Sequence, residues 1–366
     1  MASLAQAEAR HRVKHELRAL TSVRGLAAWM IVLFHIRDAM PWLPHGVMAV
    51  LSHGYLAVDF FFLLSGFVIW NSYTDRIRSG GAAALPDFFK RRIARIWPLH
   101  IFMLGVGLAI ALLLNAAGRD THDFPMSELP LHVLLLQNWG FTSHLSWNDP
   151  AWSISCELAA YLLFPLLAFA IDWRRVPTLA ILAAIAALLS LLHTIFATRG
   201  LTQLGQELTQ LGVIRCVLEF ACGTAIGALW LRWRESGKAP AILSAALALL
   251  FAAAAITGTM PETFAAPAAF AAALLALALV RNSLLEAAPL HYLGEISYAT
   301  YLGHYLLWFA FKLAFVDDPH NVPLPLLALF LMLVLASSVA LYHLVEKPAQ
   351  RAINSWKIPR RNPATI

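Results

Sequence analysis

Arg24 and His35 stand eleven positions apart in an unbroken apolar stretch, Arg24-Gly25-Leu26-Ala27-Ala28-Trp29-Met30-Ile31-Val32-Leu33-Phe34-His35. At ~100° per residue this spacing returns to one helix face after about three turns. At ~1.5 Å rise the two side chains lie roughly 16 Å apart along the axis. Ionisable groups at such depth in hydrocarbon are costly and usually functional. A guanidinium at one membrane surface, aligned with a distant imidazole, suits a long substrate with an anionic head and a reactive tip. A second apolar segment opens Ala151-Trp152-Ser153-Ile154-Ser155-Cys156-Glu157 and sets Glu157 about two turns in, at a depth like that of His35. A histidine and a carboxylate at one level suit general-base chemistry, the carboxylate fixing the tautomer and stabilising imidazolium. A polar contact locking two helices is the plainer alternative.

Asp59, in Tyr55-Leu56-Ala57-Val58-Asp59, falls in the first turn of another apolar segment. It is either a third polar group of a cavity or a helix-start residue favoured by the macrodipole. Ser65-Gly66, further along, permits close helix approach or substrate access. At the other end, Lys90-Arg91-Arg92-Ile93-Ala94-Arg95-Ile96-Trp97-Pro98 puts Arg92 and Arg95 one turn apart. Such a pair grips phosphate through bidentate hydrogen bonds. Alone it reads as topogenic charge; with Arg24 on the same surface it favours a nucleotide-phosphate site. Tyr298, Tyr301 and His304 follow helical spacing, as a cavity lining or an interfacial aromatic belt. Glu346-Lys347-Pro348 ends the last apolar segment, with Glu346 placed to pair with nearby basic residues. The cysteines Cys156, Cys216 and Cys222 have no metal-ligand spacing and read as packing residues, so no metal is expected.

The elements that must position these residues are membrane helices. The chain is 60% hydrophobic and 13% charged, which excludes an ordinary soluble domain. Long Leu/Ala runs favour helices over alternating barrel strands. The predicted class is all-α: a polytopic transmembrane helical bundle of about ten spans, near 20–40, 55–73, 94–115, 151–171, 177–197, 211–231, 240–258, 263–280, 291–315 and 323–345. The apolar segment 129–139 is too short to span and is expected at the interface. Of the 27 Lys and Arg, only Arg119 and Arg199 fall on one set of loops, while Arg37, Arg215 and Lys312 lie in or at the ends of spans. The rest share the other side, so both termini are expected in the cytoplasm. A basic tail at 1–19, a membrane domain at 20–346 and a basic tail at 347–366 follow; no removable signal peptide is expected. The net charge of +6 then reflects topology and anionic lipid rather than nucleic acid. The outward loop 115–150 is polar and suits a hydrophilic acceptor, or plain solvent exposure. Gly223 and Gly227 form a small-xxx-small pair that packs helices.

In this order the segments resemble acyltransferase family 3, bacterial membrane O-acyltransferases that decorate surface glycans. The resemblance covers most of the chain. It rests on the Arg24-to-His35 spacing, the 59–66 segment, Arg92-x-x-Arg95-x-x-Pro98, Trp152-Ser153 with Glu157, Ser297-Tyr298 with His304, and Glu346-Lys347-Pro348. It implies transfer of an acyl group, commonly acetyl, from cytoplasmic acyl-CoA across the bacterial inner membrane. The acceptor would be a hydroxyl of a glycan, a lipid-linked sugar or a related molecule. His35 would then be catalytic with Glu157 its partner, and Arg24, Arg92 and Arg95 would bind CoA. Asp59, Ser65, Trp152, Ser153, Tyr298 and His304 are expected around the substrate cavity. Thr21 and Leu158 stand where family members often carry acidic residues, which bears on acceptor choice. No C-terminal hydrolase-like domain of the sort some relatives carry is expected. The alternative is a transporter or flippase of a glycan precursor or acyl donor, since buried ionisable residues also mark transport pathways.

Overall fold

A computed structural model of the chain describes residues 17–280 and 284–356. Most of the two expected tails lies outside them, as do Arg10, Arg12, Lys14, Arg281, Lys357, Arg360 and Arg361. Among the described residues there is helix and no strand. The long helices are α1 (Arg18–Ile36), α2 (Ala57–Gly80), α3 (Leu85–Ala116), α4 (Ala151–Ala170), α5 (Thr178–Ala197), α6 (Leu208–Trp233), α7 (Ala239–Ile256), α8 (Glu262–Leu279), α9 (Ser297–Phe315) and α10 (Leu324–Leu341). Each coincides with one expected span. By length and apolar composition, 8 stretches among the described residues qualify as membrane-crossing, one of which, His45–Ala116, contains both α2 and α3. The interfacial segment contains only the short helix Leu129–Leu134.

α2 runs to Gly80, seven residues past the expected end of its span, and two further boundaries differ from the sequence reading for a visible reason. α3 begins at Leu85 and runs for 32 residues, about 48 Å. That exceeds a hydrocarbon thickness of about 30 Å, so its basic first turns extend the span instead of preceding it. The ninth expected span divides into a short helix, Ala288–Glu295, and α9. At the break the Gly294 carbonyl accepts from the Arg24 guanidinium and the Ser297 hydroxyl, side-chain donors that take up the end of the first helix.

Lipid is as apolar as leucine, so helices here associate through close packing. Small residues set how close. A Cβ on Gly66 of α2 would lie 1.9 Å from the Phe220 carbonyl oxygen, and one on Gly223 of α6 would lie 2.0 Å from that of Leu63. The two helices therefore touch backbone to backbone, and α6 is the most buried of the candidate spans while α7 is the least. The same device joins α1 to Ala288–Glu295, where a Cβ on Gly294 would sit 1.8 Å from the Thr21 carbonyl oxygen. That contact carries Arg24 to the start of α9. On its other stretch α1 packs along α9, which sets the azimuth of His35.

Candidate active site

Seven of the expected residues line one cavity of about 150 Å³: Arg24, Ser65, Arg92, Arg95, Ser153, Glu157 and Tyr298. Phe61, Phe62, Tyr161 and Tyr301 complete much of the wall. α1, α2, α3, α4 and α9 each contribute. At the arginine end it meets a wider vestibule of about 960 Å³, which shares Arg24 and Arg95 with it and adds Arg18, Lys347 and Arg351.

The arginines are held in different ways. Arg24 donates from Nη2 to the Gly294 carbonyl at 2.6 Å and from Nε to Ser297 Oγ at 2.9 Å, which aims the guanidinium at the join of the two cavities. Arg95 pairs with buried Glu346 and lies over the Tyr298 ring at 5.1 Å. The sequence reading of Glu346 as a partner for basic residues thus acquires a specific partner. Gln350 donates to the same carboxylate at 3.1 Å. Arg92 stands over the rings of Tyr73 and Tyr161 at 5.4 and 5.5 Å, and its buried Nε has no hydrogen-bond partner among the described residues. Its side chain is therefore positioned by aromatic faces and free to bind an anion.

Glu157 lines the cavity and accepts a hydrogen bond from Ser65 Oγ at 2.5 Å. The expected Glu157–His35 pair is not what the geometry brings together. His35 faces His304 instead, Nδ1 to Nε2 at 3.1 Å, with ring centroids 5.0 Å apart. Carbonyl oxygens only accept. His304 Nδ1 must donate to the Thr300 carbonyl at 3.0 Å, and His35 Nδ1 to the Ile31 carbonyl at 2.9 Å. The neutral His304 Nε2 then accepts from the same His35 Nδ1–H. This arrangement fixes the tautomer of His35 with Nε2 unprotonated, the form a general base requires.

Neither histidine lines the cavity. Between them and it stands Tyr301, whose ring meets Phe61 edge-on at 5.9 Å and lies 6.4 Å from that of His304. The Tyr301 hydroxyl is 2.7 Å from Ser153 Oγ and donates to the Pro150 carbonyl at 3.0 Å. On the far side of His35, Tyr305 meets its ring edge-on at 5.4 Å. Asp149, in the loop before α4, accepts a hydrogen bond from Tyr305; burial nevertheless pushes its carboxyl up to about 6, with Asp123 adding to the shift.

Besides His304, two other expected cavity residues are elsewhere. Asp59 is fully buried in a bidentate ion pair with Arg215, Oδ1 to Nε at 2.7 Å and Oδ2 to Nη2 at 2.6 Å. A carboxylate in the first turn of α2 faces α6, where the only way to bury Arg215 is to neutralise it. Trp152 sits edge-on to Phe62 and beneath the Arg215 guanidinium, lining a separate small cavity with His132 and Asn148. Tyr301 belongs to the site although its spacing alone left an aromatic belt equally open. Arg215 carried a usable signal: an arginine in mid-span must have a counter-ion.

Fold and site together define a multi-pass helical membrane protein with an interior cavity that is basic at one end and approaches a histidine pair at the other. The family model of the acyltransferase domain matches residues 17–343. The chain belongs to that family and is a membrane enzyme transferring acyl groups other than aminoacyl groups. It is 34% identical over 321 residues to acyltransferase MdmB of Streptomyces mycarofaciens, covering 80% of this chain and 79% of that one. It is also 26% identical over 220 residues to O-acetyltransferase OatA of Staphylococcus aureus, covering 56% of this chain and 34% of OatA. No solved structure matches.

Proposed function

We propose that the protein is an O-acyltransferase of the bacterial inner membrane, moving an acyl group, commonly acetyl in this family, from cytoplasmic acyl-CoA to a hydroxyl of a glycan or related acceptor on the other side. The observation that carries this is the cavity pair: a wide basic vestibule joined at Arg24 and Arg95 to a narrow channel that stops one side chain short of His35. The CoA diphosphate would sit at that join, gripped by Arg24, Arg92 and Arg95. The pantetheine arm would follow the narrow cavity, where the Glu157 carboxylate can accept from an amide N–H of the arm.

The chemistry then falls to His35. Its Nε2 takes the proton of the acceptor hydroxyl as that oxygen attacks the thioester carbonyl. The tetrahedral intermediate collapses with cleavage of the C–S bond, the new ester forms, and the thiolate leaves with the proton returned from imidazolium. His304 acts through His35, holding the ring and accepting from the N–H whose charge grows in the transition state. Tyr301 must turn aside for the thioester to reach His35.

The test is binding of acetyl-CoA to purified protein, wild type beside Arg24→Ala and Arg92→Ala. A hydrogen bond to a charged group contributes about 1.5–3 kcal/mol, so each substitution should weaken binding by roughly ten- to a hundred-fold. Folded wild type that binds no acyl-CoA, or variants that bind it equally well, would overturn the reading.

A further inference from the structure

The cations around the vestibule divide into two groups by what already holds them. Arg95 is neutralised by Glu346, and Arg24 has part of its hydrogen-bonding capacity committed to Gly294 and Ser297. Arg18, Lys347 and Arg351 line the same vestibule but make no ion pair among the described residues. Lys347 and Arg351 are four positions apart on the helix Lys347–Ser355, so they share a face. Lys347 is partly buried over the Tyr342 ring at 5.2 Å, while Arg351 is exposed. The buried Nε of Arg18 has no hydrogen-bond partner among the described residues.

We propose that Lys347 and Arg351, with Arg18 beside them, form a separate subsite for a terminal phosphomonoester, the 3′-phosphate of the acyl donor's nucleotide. This rests on the acyl-CoA reading above. Size decides where the nucleotide goes. A cavity of about 150 Å³ admits an extended chain, and only the vestibule of about 960 Å³ admits a base and ribose. With the diphosphate at the Arg24–Arg95 join, the remaining phosphate lies further out, where the unneutralised cations are. A phosphomonoester carries close to two negative charges at neutral pH, more than either diphosphate oxygen pair presents to a single side chain, and it suits a cluster with no carboxylate partner. Glu295, also on the vestibule wall, makes no ion pair among the described residues and repels an anion from its own side.

The same chemistry occurs in lipid headgroups, so the experiment separates the two sources. Initial rates are measured in phosphatidylcholine nanodiscs and in nanodiscs containing phosphatidylglycerol, with acetyl-CoA and acetyl-3′-dephospho-CoA as acyl donors. Wild type should prefer the 3′-phosphorylated donor by about ten- to a hundred-fold in kcat/KM in both lipids. In Lys347→Gln/Arg351→Gln the preference should fall to within about three-fold, because kcat/KM for acetyl-CoA drops while that for the dephospho donor holds. Equal use of both donors by wild type would overturn the subsite and leave the acyl-CoA reading standing. Variants that slow both donors alike, or that matter only in phosphatidylglycerol, would give these residues to the fold or to a headgroup. Wild type that turns over neither donor, although folded, would sink the parent reading itself.

Discussion

Replacing His304 by alanine removes one of two acceptors for the His35 Nδ1–H and leaves the other, the Ile31 carbonyl at 2.9 Å, in place. The tautomer is thus weakened, not reversed. A neutral hydrogen bond contributes about 0.5–1.5 kcal/mol, which sets the expected fall in kcat at about three- to ten-fold. Removing the proposed base with His35→Ala should lose roughly a hundred- to ten-thousand-fold. If His304 acts only through His35, the double variant should be no slower than His35→Ala, a full coupling in the double-mutant cycle. CoA release from acetyl-CoA can be followed with a thiol reagent in membranes that retain the native acceptor. The protein's Cys156, Cys216 and Cys222 are buried and contribute little background. His304 is fully buried, so thermal melting of each variant accompanies the rates. A loss in His304→Ala as deep as in His35→Ala, or losses that add in the double variant, would refute the positioning role and put His304 at the reacting atoms.

Other perturbations reach the scaffold. Asp59→Ala strands Arg215 without its counter-ion and should cost about 3–5 kcal/mol, seen as a lowered melting temperature, with partial recovery in Asp59→Ala/Arg215→Met; an unchanged melting temperature would contradict the buried pair. Gly66→Ala and Gly223→Ala must push α2 and α6 apart, an overpacking cost of about 1–3 kcal/mol or more, whereas Gly105→Ala, with nothing within 4 Å of its Cβ, should melt with wild type. Asp149 has a native pKa of about 6 against an ordinary 3.8. The folded state therefore holds the proton more tightly, and the stability linked to that proton is present below pH 3.8 and lost as pH rises towards 6. The difference amounts to about 3 kcal/mol. Asp149→Asn should gain on wild type across that window in melting scans; a constant gap would show that Asp149 is not so shifted.

Most of the helices were legible because they are long apolar runs flanked by charge, although α9, broken up by tyrosines, His304 and Lys312, is not among the stretches apolar enough to qualify as membrane-crossing. The Arg24–His35 alignment was legible because helical periodicity is local. Which neighbour His35 meets was not. Depth along a span puts His35, Glu157 and His304 at comparable levels, but only packing sets azimuth, and α1 lies along α9. Asp59 failed for a similar reason: a first-turn carboxylate looks the same whether it faces a cavity or an arginine on another helix. The glycine pair Gly223 and Gly227 was read correctly as packing, since small residues in a span have few other uses. Tyr298 and Tyr301 divided between two roles that spacing cannot distinguish, and the structure gives both to the cavity wall.

The layer of Phe61 and Tyr301 has an electrical consequence. A hole lined with arginines at one end and reaching polar loops at the other would leak protons and ions down the membrane potential, at about 2.3 kcal/mol per charge for each 100 mV. Two aromatic rings in edge contact close it below the histidines. On the proposed route a thioester would have to part these rings to reach His35, and the acyl chain that parts them would fill the gap it makes.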